Sequence, residues 1–323
     1  MSNSNQADSV LDYFVLDVFS ATRLAGNPLA VVIHPGTLTA ETMQAIARET
    51  NLSETTFIER RAAAVEAREG MRVRIFTTEE ELPFAGHPTL GTASLLRAIA
   101  PDCVKNDIVT LALNVAPVPV RFEPQEEGAA EWPVRGEMTQ RDPEFGAVLD
   151  PSEVAALTGL SVEDFDAARP IQIVSTGTAF AIVPLRSAAA LARLRVCQEE
   201  AAAFLRARGA RWFYVLGPED GSADTSSAAP ARWRARMQFN GGEDPATGSA
   251  AGCAISHLVR HGAVAPDTLI HVRQGVEMLR PSDLYLRASL RDAEAGKPES
   301  GIVTGVRVGG STILVAKGQL FLP

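Results

Sequence analysis

His87-Pro-Thr-Leu-Gly-Thr-Ala93 and Asp244-Pro-Ala-Thr-Gly-Ser-Ala250 share one pattern and stand 157 positions apart, close to half of the 323-residue chain. A second pair, Gly26-Asn-Pro-Leu-Ala-Val-Val32 and Gly177-Thr-Ala-Phe-Ala-Ile-Val183, stands 151 positions apart in the same order. Two short matches at similar offsets imply a duplicated fold. The segments that follow the first pair are unusual: Pro88 to Ala100 holds one charged residue, Arg97, and Pro245 to Val259 holds none. A helix with no polar face must be enclosed on all sides. In a chain rich in β patterns, that means a central helix wrapped by a sheet, once per half. The expected class is α+β, with two similar domains, 1–142 and 143–323, each a central helix inside a curved mixed sheet. The last strand is expected to be able to return to the first domain.

Outward from these helices, Tyr13–Phe19 and Leu29–Ile33 read as strands around a turn at Gly26-Asn27-Pro28. Thr39 fits an N-cap for a helix ending near Thr50, and strands follow at Thr55–Glu59 and Met71–Phe76. Pro88 is expected to open its helix and Pro101 to stop it. Ile108–Leu113, Val118–Phe122 and Trp132–Met138 are β-like, and Glu123–Glu131 resembles an exposed hairpin tip. Asp142 to Pro151 reads as a linker leading into a helix at Ser152. Beyond it come strands near Ile171–Ser175, Thr178–Val183 and Trp212–Leu216, with a helix over Glu199–Arg208. Gly217 to Pro230 reads as a polar loop. At the end, Gly309-Gly310 is a hairpin signal between Ile302–Val308 and Thr312–Lys317.

Composition narrows the function. A net charge of −9 offers no basic stripe for nucleic acid. No apolar run reaches membrane-spanning length, and Met1 to Val10 has no secretory pattern. Cys103, Cys197 and Cys253 are isolated, so neither a disulfide framework nor a CxxC metal site is expected, and the setting reads as cytoplasmic.

The starts of the two apolar helices carry the chemistry. Asp244 fits an N-cap with Pro245 at N1, and His87-Pro88 repeats the arrangement with a titratable residue in the capping position. Gly91-Thr92 and Gly248-Ser249 then fall in the first turns, where small residues let a ligand approach the backbone N–H groups. Such an end carries about half a positive charge and binds anions. If the halves face each other, the two ends converge on one cleft suited to a small carboxylate. Asp-Pro and His-Pro also serve as plain capping devices; the duplication is what favours a site.

Asn51-Leu-Ser-Glu-Thr-Thr-Phe57, Phe84-Ala-Gly-His-Pro-Thr89 with Gly91-Thr-Ala93, and Glu243-Asp-Pro-Ala-Thr-Gly-Ser-Ala250 resemble the signature segments of the PhzF-like branch of the diaminopimelate epimerase superfamily. Gln274-Gly-Val-Glu-Met278 followed by Arg280-Pro-Ser282 resembles a further segment, and the resemblance runs from about Phe14 to Leu322. It implies two similar domains with the active site between them, and a cofactor-independent isomerase or epimerase acting on a small carboxylate. The best-known family reaction is isomerisation of a dihydro-hydroxyanthranilate. Carried over by position, Glu54 matches the catalytic acid/base, while Gly86, His87, Asp244, Gly248 and Ser249 match or adjoin residues that hold the substrate. The related diaminopimelate epimerases present a cysteine at each helix end. Here neither end has one, which argues against thiol chemistry. The expected partners are the substrate and a second copy of the chain in a homodimer, with no metal and no nucleotide. The other class of reading is a non-catalytic binding protein that retains the cleft.

By composition alone Glu54 would be a solvent-facing glutamate, and the resemblance is what selects it. Cys253, His257 and His261 follow i, i+4, i+8 spacing, yet no carboxylate is evident to orient them as ligands, and His261 before Gly262 reads as a helix C-terminus. Glu79–Glu81 reads as a solvated loop. No GxGxxG or P-loop pattern follows a strand, and no nucleophile elbow surrounds Ser249.

Overall fold

The structure is a computed structural model that describes residues 9–36, 38–124, 130–219, 230–239, 241–292 and 300–322. The chain divides into two units. Unit 1 contains residues 1–24, 28–136 and 311–323, and unit 2 contains 25–27 and 137–310. Most of the expected hairpin tip, 125–129, and of the expected polar loop, 220–229, lies outside the described residues.

In chain order the first elements are β1 (Ser9–Val18), β2 (Asn27–His34), α1 (Ala40–Thr50), β3 (Thr55–Glu59), α2 (Ala63–Glu69) and β4 (Met71–Phe76). They are followed by β5 (Glu81–Leu82), α3 (Gly86–Ile99), β6 (Ile108–Ala112), β7 (Pro117–Phe122) and β8 (Val134–Thr139). Thr39 caps α1 as expected, its side chain accepting from the Thr42 N–H, and Asn51 ends the helix in the left-handed conformation. The face of α1 carrying Met43, Ile46 and Ala47 packs against Val32, Phe57 and Phe76. Beside it, Glu81 leaves the expected solvated run to form a two-pronged ion pair with Arg74 at 2.7 and 2.6 Å.

The second series is β9 (Glu144–Val148), α4 (Pro151–Thr158), β10 (Gln172–Ser175), β11 (Ala179–Pro184), α5 (Gln198–Arg206) and β12 (Trp212–Pro218). Then come β13 (Ala231–Arg236), β14 (Gln238–Phe239), β15 (Gly242–Glu243), α6 (Gly248–Arg260), β16 (Ile270–Gln274), β17 (Ser282–Arg291) and β18 (Ile302–Leu322). The expected linker therefore holds a strand, since β9 pairs with β10. Its prolines flank the strand without interrupting the ladder.

The duplication is visible in the pairing. In unit 1, β2–β3 is parallel, β3–β4 antiparallel, β4–β6 parallel and β6–β7 antiparallel. In unit 2, β11–β12, β12–β13, β13–β16 and β16–β17 repeat that alternation. Helices α3 and α6 are the crossovers inside the second parallel pair of each series. Each is enclosed as its composition requires: α3 packs on β1, β3, β6 and β7, and α6 on β10, β11 and β17. Every residue of α3 from Gly86 to Leu96 is buried. The fold is thus α+β, a curved mixed sheet with few helices. Among the described residues no helix is long and apolar enough to cross a membrane.

The C-terminal hairpin does not form. β18 is one strand, pairing with β17 through Gly309 and with β1 from Thr312 onward. Glycine permits a turn without imposing one, and here continuous ladders on both sides hold Gly309 and Gly310 extended. The glycine that does turn left-handed is Gly305, φ +59°, at a bulge opposite Arg287–Ser289.

Candidate active site

Unit 1 brings Glu54 and His87 together. Glu54 directly precedes β3, whose first residue, Thr55, pairs with Ala30 of β2. His87 lies in the first turn of α3, where Ala85 is the N-cap and makes no side-chain cap bond. The helix thus starts two residues before the expected Pro88, and His87 is not the capping residue. Proline has no N–H to lose anywhere in a first turn, so the third position suits it as well as the first. Gly91 and Thr92 consequently fall in the second turn and serve packing. A Cβ on Gly91 would meet Leu29 and Val18 methyl carbons at 2.6 Å, and Thr92 shares a 2.8 Å hydroxyl–hydroxyl hydrogen bond with Thr56.

His87 Nε2 stands 3.6 Å from Glu54 Oε2, with the two side chains 6% and 17% exposed. The expectation from composition of a solvent-facing Glu54 is therefore not met. Burial drives the His87 ring down to about 3, against a smaller opposing effect of its hydrogen bond to the Pro28 carbonyl. The ring is neutral near pH 7, and its approach to Glu54 is not an ion pair. A carbonyl accepts only from a protonated nitrogen, so Pro28 claims the single N–H. That leaves Nε2, the nitrogen facing Glu54, as an acceptor. It can take a hydrogen bond from a proton carried on Glu54 or on a ligand.

Unit 2 holds Asp244, Gly248 and Ser249. Helix α6 begins at Gly248 with Thr247 in the N-cap position, so Asp244 and Pro245 precede the helix instead of capping it. Gly248 and Ser249 do open the first turn, as expected. Asp244 forms a turn of its own: Oδ2 accepts from the Thr247 hydroxyl at 2.6 Å, and the carboxylate also accepts from the Ala246 N–H. Its Oδ1 accepts from Asn27 Nδ2 at 2.8 Å. The residue keeps partial exposure, yet desolvation of the carboxyl pushes it up to about 6 against these three donors. Three accepted bonds take up most of the carboxylate's roughly four lone-pair directions.

Behind Asp244, Arg236 clamps the preceding Glu243 through two guanidinium nitrogens, Nε at 2.8 Å and Nη2 at 2.5 Å. Gln274, fully buried at the end of β16, bonds to Asp244 and Thr247. Sequence reasoning did not single out Asn27, Thr247, Gln274 or Tyr214. The usable signals were Asn27 in the duplicated Gly26-Asn-Pro turn and Gln274 at the head of a signature segment. The Cys253/His257/His261 series is engaged elsewhere. Cys253 is buried, its thiol pushed up to about 11, with Sγ 3.6 Å from the Thr178 carbonyl. His257 bonds to the Pro170 carbonyl and His261 to Gln172. Gly262 ends the helix left-handed, φ +68°. Among the described residues, no group of three or more His, Cys, Asp or Glu could hold a metal ion.

The family model of the phenazine biosynthesis-like proteins, PhzC-PhzF, matches residues 16–318. The trans-2,3-dihydro-3-hydroxyanthranilate isomerase of Pseudomonas aeruginosa is 35% identical over 313 residues, covering 96% of this chain and 99% of the relative. Among solved structures, a predicted epimerase from Pseudomonas aeruginosa matches with a TM-score of 0.75 at 33% identity, over 96% and 99% of the two chains. A Bacillus anthracis phenazine biosynthesis protein of the PhzF family shares the fold, with a TM-score of 0.78 at 23% identity over 97% and 99%. The matched segments, the duplicated topology and these relatives agree: the chain belongs to the PhzC-PhzF family of phenazine biosynthesis-like proteins and is an isomerase.

Proposed function

We propose that the chain moves a proton between two carbons of a small carboxylate, with Glu54 taking it from the first and returning it to the second. The C–H electron pair becomes the new double bond as the Glu54 O–H forms. In the second half, the π pair of the original double bond forms a C–H bond at its far carbon with the proton from Glu54, whose O–H breaks to restore the carboxylate. Oxidation state does not change, so the step calls for no redox group. The observation that carries this reading is the low exposure of the Glu54 carboxyl, 3.6 Å from a histidine that burial keeps neutral. A carboxyl removed from bulk water keeps the transferred proton from exchanging away before it is returned. In the same proposal, Gly86, His87, Asp244, Gly248 and Ser249 hold the substrate, with backbone N–H groups at the helix starts favouring its carboxylate. The substrate is of the trans-2,3-dihydro-3-hydroxyanthranilate type, as the relatives' names indicate. The working form is a cytoplasmic homodimer, in keeping with three free cysteines.

The test is incubation of that compound with the enzyme in D2O, followed by NMR. Isomerised product, with deuterium entering at the newly protonated carbon in part of the molecules, supports the reading. Glu54→Gln should lower the rate on the order of a hundred- to ten-thousand-fold while binding persists. Tight binding with neither product nor deuterium would overturn the proton transfer proposed on this compound.

A further inference from the structure

We propose that Gln274 is a positioning residue for Asp244: its carboxamide compels the Thr247 hydroxyl to donate to the Asp244 carboxylate, fixing the direction in which that carboxylate meets a ligand. The inference rests on the reading that Asp244 holds the substrate.

Two backbone groups settle which way round the Gln274 amide lies. The Thr247 N–H can only donate, and it meets Oε1 at 3.1 Å. The Asp244 carbonyl can only accept, and it meets Nε2 at 2.8 Å. Reversing the amide would set donor against donor and acceptor against acceptor. With the orientation fixed, the second Nε2 proton goes to Thr247 Oγ1 at 2.9 Å. Thr247 Oγ1 is then an acceptor on that side, and its own proton points to Asp244 Oδ2 at 2.6 Å. At the far end the Tyr214 hydroxyl donates to Oε1 at 3.1 Å. Both amide protons and both oxygen lone pairs are engaged, so the polarity of the chain Tyr214, Gln274, Thr247, Asp244 has no second solution. Gln274 and Tyr214 are fully buried and Thr247 is 7% exposed, so water does not compete.

The backbone allows no slack around this chain. Gly275 follows at φ +74°, and a Cβ there would meet the Arg280 and Pro245 carbonyl oxygens at 2.4 and 2.7 Å. Among the described residues, the titratable groups that act on the Asp244 carboxyl are Glu243, held by Arg236, and Tyr214, which burial keeps protonated. Asn27 and the Ala246 N–H supply the remaining donors. Of all these, the Thr247 hydroxyl is the one donor to the carboxylate whose direction another side chain decides.

The experiment follows the Asp244 carboxyl by 13C NMR titration, assigned by difference from Asp244→Asn, alongside steady-state kinetics on trans-2,3-dihydro-3-hydroxyanthranilate. Gln274→Met should raise the Asp244 midpoint by about half a pH unit or more, because the Thr247 hydroxyl is no longer held to its charged form. It should raise KM about tenfold and change kcat less than about threefold, the loss of one aligned hydrogen bond in binding. Thr247→Val, which keeps the shape and deletes only the hydroxyl, should reproduce both effects, and Thr247→Ser should restore both. Should Gln274→Met fail to fold, the Thr247 pair decides. A folded Thr247→Val with an unchanged Asp244 midpoint overturns the proposal. So does a Gln274→Met that raises KM with the midpoint in place, since that marks a merely structural glutamine. If Asp244→Asn leaves kcat and KM intact, the substrate-holding reading of Asp244 fails, while the carboxyl titration still decides what Gln274 does.

Discussion

At the scale of single residues, His87 and Asp244 have been moved from their ordinary acid–base behaviour in opposite electrical senses by one cause, loss of water. Burial denies His87 its positive charge and makes the negative charge of Asp244 harder to hold. His87 should therefore remain neutral across the whole working range. Its ring 15N shifts, assigned against His87→Asn, are expected to show no protonation between pH 8 and 5, over which an ordinary histidine near pKa 6.5 titrates fully. A midpoint near that ordinary value would remove the acceptor role assigned to Nε2. Glu54 shows how far composition can mislead: a glutamate among Ser53, Thr55 and Thr56 has no local mark of function. Its low exposure arises from tertiary neighbours such as His87, 33 positions away in sequence, which no window around residue 54 contains.

At the scale of elements, the enclosed helices were legible because exclusion of charge from a whole circumference is a strong and local signal. Their first residues were not. Whether Asp-Pro caps a helix or forms a separate turn is settled for Asp244 by Thr247 and by Gln274, which comes from another strand. Strands β13, β16 and β17 were also missed: their alternation places arginines such as Arg234, Arg273 and Arg287 outward, so that charged residues dilute the apolar half. Enclosure has a testable cost at Gly252. A Cβ there would stand 1.9 Å from Gln140 Oε1, an oxygen accepting from Thr176 while its amide nitrogen donates to the Gly248 carbonyl. Gly252→Ala is expected to lower stability by about 2–4 kcal/mol, despite the better helix propensity of alanine, through overpacking and two strained buried hydrogen bonds. Gly318→Ala, with nothing within 4 Å of the new carbon, should be nearly neutral. Urea titration of both variants checks the contrast.

At the scale of the whole molecule, buried histidines should set the acid limit. His87 and His257 are both driven down to about 3 from 6.5. Between those values the unfolded chain binds protons that the folded chain refuses, so stability is full above about 6.5 and is lost as pH falls towards 3. Asp244 acts oppositely between 3.8 and about 6, where the folded state holds the extra proton. Two histidines outweigh one aspartate, and the unfolding free energy is expected to drop by several kcal/mol from pH 7 to 4. Asp244→Asn should steepen that decline and His257→Gln should flatten it; a flat profile from 7 to 4 in the parent chain would contradict the burial of both rings. The strand β18 carries a different consequence, one of timing. Residues 311–322 complete unit 1 by pairing with β1, at the opposite end of the described residues. A ribosome delivers them some 300 residues later. During that interval β1 lacks this partner, an unpaired edge available to any other extended segment. A nascent chain halted before residue 311 should therefore be held by chaperones with its N-terminal half, not its most recently made half, left unfinished.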